Sequence, residues 1–326
     1  MAVLLGEIDA KTNEYMRENA HFADLFNYYL YQGEQVIDPD NLRELDRTSA
    51  SLIYGDESKK LDIDEDFRDI LKLLTIKEDD KATYLLLGLE DQMHVHYAMP
   101  VRNMLYDAKS YAMQVKNSAS KHRQHHESGE SSDEFLSGFH KDDKLQPVIT
   151  LVLYWSGKEW DGPVSVHEML DTNDQKLLKF IPDYRINLVS PVGIYETDFE
   201  KFQTPLAEVL QYIKYSGNKE ALDRVLEENE KFHHLDRESA DLLNTVTNSN
   251  LEFEEGKEEV DVCTAVKEMR EESKLEGRQE GINESRIQFA KNLLKDGSMT
   301  TDKIAKMAML PLSKVKELEK EMFPLT

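Results

Sequence analysis

Residues 67–92 read FRDILKLLTIKEDDKATYLLLGLEDQ, and the fold class turns on how this stretch divides. Phe67 to Ile76 predicts a strand, followed by acidic turn residues from Glu78 to Lys81. Thr83 to Glu90 (TYLLLGLE) is short, strongly apolar and bounded by polar residues, which suits a strand buried on both faces. The two read as a strand pair joined by a tight turn. Side chains at i and i+2 on a strand share a face, so Glu90 and Gln92 point together and Asp91 points away. Pairing of the strands brings Asp69, from the first, to Glu90 on the second.

Upstream, His21 to Gln32 (HFADLFNYYLYQ) carries Phe22, Leu25, Phe26 and Tyr29 at helical spacing, with Asp24 on the same helix. Turn signals follow around Asp38, Asp40 and Gly55. Downstream, Pro100 opens a helix whose Val101, Met104, Leu105, Ala108, Tyr111, Ala112 and Val115 predict one buried face. Arg102 and Tyr106 lie one turn apart, off that face, where they are placed to meet a phosphate. Residues 117–143, rich in Ser, His, Lys and acidic residues, predict a mobile loop. Strands return at Pro147 to Trp155 and at Ile186 to Val189. The expectation is an α/β domain over 1–198, a central mixed sheet flanked by helices.

From Phe199 the pattern turns helical: LAEVLQYIKYS, NKEALDRVLEENEKF and ESADLLNTVTN predict a helical extension over 199–250. The last part, 251–326, begins with the acidic patch Glu252 to Asp261. It continues as a charged helix through Arg286, weakened by Gly277 and Gly281, and ends in short helices with Gly297 as a stop, Thr300/Thr301 as a cap and Pro311 at a turn. That tail is helix-turn-helix-like and carries Lys303, Lys306, Lys314, Lys316 and Lys320; the pattern is common in ordinary bundles with exposed lysines, and a DNA-binding element is the alternative. The Glu-rich helix from Glu258 suits either a solvated face or self-association, and a homodimer would pair two sites on two strands.

The formal net charge of −24 argues against direct attraction to polyanions. Carboxylates that hold a divalent cation meet phosphate through the cation, so the charge does not exclude a nucleic-acid enzyme. Val3 to Leu5 is too short for a signal peptide, and no run reaches the roughly 20 apolar residues that span a bilayer. The single cysteine, Cys263, excludes an intrachain disulfide and a thiolate zinc cage. The expected location is cytoplasmic, with no membrane partner. No Gly-rich phosphate loop is present, so no nucleotide cofactor is expected. His94 and His96 lack a third ligand, and His122, His125, His126 and His140 fall in the expected loop; none predicts a zinc site.

Two carboxylates on paired strands suit one Mg²⁺ that keeps several waters, and phosphodiester hydrolysis needs such a cation together with an activated water. Asp69 in FRDIL, then YLLLGLEDQ, then YAMPVRNMLYD resemble the recombination-promoting nuclease (Rpn) family, also called YhgA-like transposases, within the PD-(D/E)XK superfamily. The likeness extends from about Met16 to Ser216, and the Glu-Gly-rich helix and short terminal helices resemble that family's tails. The resemblance implies an αβββαβ core, Mg²⁺ (or Mn²⁺) dependence, and cleavage of DNA linked to recombination or mobile elements. It makes Asp69 and Glu90 metal ligands, with Asp24 either a third acid or an ordinary surface residue or helix cap. Gln92 stands where the superfamily usually has lysine and orients only by hydrogen bonds. The rival expectation is a catalytically silent scaffold that binds DNA or protein.

Overall fold

A computed structural model describes residues 2–45, 69–78, 81–125 and 131–323. In chain order its elements are α1 (Ala2–Arg17), α2 (Asn19–Tyr31), β1 (Leu42–Glu44), β2 (Ile70–Glu78), β3 (Lys81–Gln92), α3 (Met99–Gln124), α4 (Ser132–Ser137), β4 (Val148–Tyr154), α5 (Gln175–Leu178), β5 (Asn187–Val189), α6 (Leu206–Tyr215), α7 (Lys219–Glu228), β6 (Leu235–Asp236), α8 (Arg237–Thr247), β7 (Glu259–Val260), α9 (Val262–Asp296), α10 (Thr301–Ala308) and α11 (Leu312–Met322). The class is α/β: five strands form one mixed sheet in the order β1-β2-β3-β4-β5.

The quoted stretch forms the pair expected of it. β2 and β3 run antiparallel, from Ile70 opposite Leu89 to Glu78 opposite Lys81. β4 then joins β3 in parallel, a geometry that requires a crossover, and α3 provides it. Along β3 the pleat sends Leu87 and Leu89 into the main core beside Tyr15, Phe22, Phe26, Leu151, Trp155, Leu206 and Leu210. The opposite face is thinner. There Leu86 packs with Leu45 and Val148, and Val152 packs with Met99 and Ile186.

Three expectations change. Residues 117–125 are not loop: α3 runs on to Gln124, and α4 follows with a capping box at Ser131 and Glu134. Only 126–130 of that segment, like Gly55 and Phe67, lies outside the described residues. Second, α3 buries the other side from the one its apolar spacing predicts. Met99, Asn103, Tyr106, Ser110 and Asn117 face inward, while Val101, Met104, Leu105 and Val115 are exposed. The sheet beneath α3 presents polar groups, and polar partners meet them: Asp107 accepts from Thr150 Oγ1 at 2.8 Å and from Tyr184 OH at 2.6 Å. Third, the helices after Phe199 are not a separate extension. Phe199, Phe202, Leu206, Leu210, Ile213 and Leu242 belong to the main core, and the first compact unit comprises 1–250 and 254–262.

The second unit comprises 251–253 and 263–326. Its α9 is continuous through Gly277 and Gly281, which cost roughly 1 kcal/mol each relative to alanine. Ala290, Leu294, Ile304, Ala305, Ala308, Val315 and Leu318 form a small core among α9, α10 and α11. Gly297 takes φ 68° after α9, and Met309 takes φ 52° in the turn between α10 and α11. No helix among the described residues is long and apolar enough to cross a membrane.

Candidate active site at the β2 and β3 strand ends

Ile70 faces Leu89, so the next pair outward is Asp69 and Glu90. Asp69 sits one residue before β2, where the chain bends into the sheet. Its Oδ2 accepts a 2.8 Å hydrogen bond from the Asp91 amide, which clasps the two strand ends together. Glu90 is fully buried on the α3 side of the sheet, level with Val152 of β4. Arg102 reaches in from the first turns of α3 and pairs with Glu90 Oε2 at 3.4 Å, and its Nε donates to the Tyr106 hydroxyl at 2.8 Å.

Arg102 lies in the field of both carboxylates. Burial works against the Arg102 charge, but Glu90, the Tyr106 hydroxyl and Asp69 outweigh it and hold the guanidinium pKa above its ordinary value. Burial raises the Asp69 carboxyl, against the Asp91 amide and the field of Arg102. Asp91 points to the opposite face, as alternation requires, and gives Oδ1 to the Trp155 indole N–H at 3.1 Å. Its complete burial, reinforced by the charge of Asp69, pushes its carboxyl up to about 8. Asp9 and Arg17 of α1 add weaker fields at both aspartates.

Gln92 follows Glu90 on the same face and is partly buried, but its Nε2 donates to the Asp91 carbonyl at 2.8 Å. The amide is therefore turned to the backbone. Arg102 and Tyr106 do come together, as helical spacing predicts, but inside rather than outside: Tyr106 is buried and Arg102 lies against Glu90. Asp24 is elsewhere. Its buried carboxylate accepts from Gln203 N at 2.9 Å, Thr204 N at 2.8 Å and Thr204 Oγ1 at 2.6 Å, which anchors the chain entering α6. Asp24 is thus committed to the fold, and the third-acid expectation is withdrawn.

Strand alternation sends the Asp91 side chain away and gives no sign that its backbone holds Asp69. Helical periodicity brings Arg102 to the site region but places it outward, because it predicts the apolar face of α3 against the sheet. A third cluster, Ser118, His122 and Asp143, resembles a hydrolytic triad only by composition. The Ser118 hydroxyl donates to Asp143 at 2.7 Å, and the same carboxylate meets His122 Nε2 at 2.9 Å. The serine proton thus goes to the carboxylate, and with His140 stacked 3.6 Å from His122 the group is a clasp holding the segment before β4 onto α3.

Asp69 and Glu90 offer hard carboxylate oxygens, donors suited to Mg²⁺ or Mn²⁺. Among the described residues neither Asp69 nor Glu90 belongs to a cluster of three or more Asp, Glu, His or Cys ligands, so an ion held by these two would keep several waters. The fold is α/β with a mixed five-stranded sheet, and Asp69 and Glu90 stand at adjoining ends of two of its strands. No protein-family model, curated protein or solved structure matches the chain.

Proposed function

We propose that this chain is a Mg²⁺- or Mn²⁺-dependent DNA endonuclease of PD-(D/E)XK type, related to the recombination-promoting nucleases. The observation that carries the reading is the placing of Asp69 and Glu90 opposite one another at adjoining strand ends, under the field of one arginine. The helix, three-strand meander, helix and parallel strand in that order support it, as do the FRDIL and YLLLGLEDQ motifs. Asp69 and Glu90 would hold the cation, which when bound supplies phosphate neutralisation and a water of lowered pKa. Arg102 balances Glu90 and is positioned to take a phosphate oxygen when that carboxylate turns to a cation. Gln92, released from the Asp91 carbonyl, would orient the attacking water by hydrogen bonds alone. Val152, level with Glu90 on β4, gives the carboxylate an apolar neighbour on its own face of the sheet.

A second reading, a silent DNA- or protein-binding scaffold, is favoured by Gln92 facing its own backbone and by the charge of −24. Incubating supercoiled plasmid with Mg²⁺ or Mn²⁺ separates the two. The nuclease reading expects nicking by the natural chain and none by Asp69→Ala or Glu90→Ala. Equal nicking by all three would remove the assignment, and no nicking by any would favour the scaffold.

A further inference from the structure

We infer that the exposed flank of α3 is a track for the phosphates of duplex DNA, leading away from the carboxylate site; the inference rests on the nuclease reading of that site. Arg102, Lys109, Lys116 and Arg123 stand at i, i+7, i+14 and i+21 of one unbroken helix. At 1.5 Å per residue they span about 32 Å, and the 20° drift per seven residues keeps them on one side. Inward lie Asn103, Tyr106, Ser110 and Asn117, so the cationic row runs along the edge between the buried face and the solvent crest.

Lys109, Lys116 and Arg123 are exposed. Among the described residues none of the three has a carboxylate partner. The one acid of α3, Asp107, is consumed by Thr150 and Tyr184. A helix with unopposed cations is conspicuous in a chain of net charge −24, because elsewhere acidic side chains outnumber basic ones and would repel a polyanion. Continuity with the site favours nucleic acid over other anionic surfaces. The first member of the row is the arginine that pairs with Glu90, so a strand following the row is delivered to the carboxylates. Charge complementarity supplies the attraction, and the row reads backbone rather than sequence.

The test is the salt dependence of binding to a fluorescent blunt duplex in EDTA, where nothing is cut. The variant is Lys109→Ala/Lys116→Ala/Arg123→Ala, at exposed helix positions that alanine suits; an unchanged circular dichroism spectrum and melting curve establish its fold. The expected result is weaker binding and a slope of log K against log salt smaller by about 2 to 3, since each phosphate contact contributes about 0.9. The charge-preserving variant Lys109→Arg/Lys116→Arg/Arg123→Lys keeps the natural slope. An unchanged slope in the alanine variant overturns the track, as does absence of duplex binding by the natural chain at low salt. Loss of binding to anionic phosphatidylserine vesicles or to an acidic helical peptide, with duplex binding unaltered, also overturns it and assigns the face to that partner. The two readings fail separately. Natural-chain binding through the row without cleavage in Mg²⁺ retires the nuclease, and Asp69-dependent cleavage with an unaltered slope retires the track.

Discussion

The Asp91 amide donates a 2.8 Å hydrogen bond to Asp69 Oδ2, so the residue whose side chain turns away from Glu90 is the one that fixes its partner. Asp91 thereby couples the two faces of β3: its backbone serves the candidate site while its carboxyl lies in the core against Trp155.

That buried carboxyl gives a pH signature. It titrates near 3.9 when unfolded but is raised to about 8 in the fold by burial and by Asp69. The folded chain keeps a proton that the unfolded chain releases. Its contribution to stability is therefore fully present below about pH 4 and is lost as pH rises toward 8. Asp91→Asn cannot titrate. Its melting temperature relative to the natural chain should climb between about pH 4 and 8 and level off outside that window. Calorimetry showing a difference independent of pH would mean that Asp91 ionises normally.

Asp24 should behave as a structural residue. Asp24→Ala leaves the Gln203 and Thr204 amides without their acceptor in a part-buried setting, at a cost of about 1–3 kcal/mol. Denaturant unfolding should register that loss, and metal affinity of the folded fraction should be unchanged. A stable variant with weakened metal binding would restore Asp24 to the ligand set.

On the proposed nuclease reading, Arg102 and a cation would compete for Glu90. Arg102→Ala removes the counter-charge of a buried carboxylate and should destabilise by about 1–3 kcal/mol, discounted because Arg102 is about one-third exposed. Saturating Mg²⁺ should then raise the melting temperature of the variant more than that of the natural chain, because the ion takes over the neutralising role. Equal Mg²⁺ shifts would separate Glu90 from metal binding.

Gln92→Lys places a positive charge on the face of Glu90. If Asp69 and Glu90 cut DNA, this variant should cleave about 10-fold faster or more in Mg²⁺. A single-turnover rate at or below that of the natural chain would show that position 92 does not face the reacting phosphate.

The strand pair was legible because apolar runs bounded by charged turns leave few alternatives, and the pleat then placed Glu90 and Asp91 on opposite faces without further information. The orientation of α3 was not. Periodicity reports which residues share a helix face, but not whether the apolar side meets the sheet; Thr150, Glu90 and Asp107 decide that, and they come from distant segments. Asp24 misled for a related reason. A carboxylate on an apolar helix invites a chemical reading, whereas its partners, Gln203 and Thr204, lie 179 and 180 residues away. The membership of α6 in the main core was hidden in the same way, since a helical run after Phe199 looks alike whether it extends a domain or completes one.

The proposed sharing of one divalent cation by Asp69 and Glu90 is tested most directly by calorimetric titration of Mn²⁺ into the natural chain, Asp69→Asn and Glu90→Gln. The prediction is one site per chain, with affinity reduced about 10-fold or more by either substitution, each removing a ligand charge. Identical Mn²⁺ binding by all three proteins would contradict it.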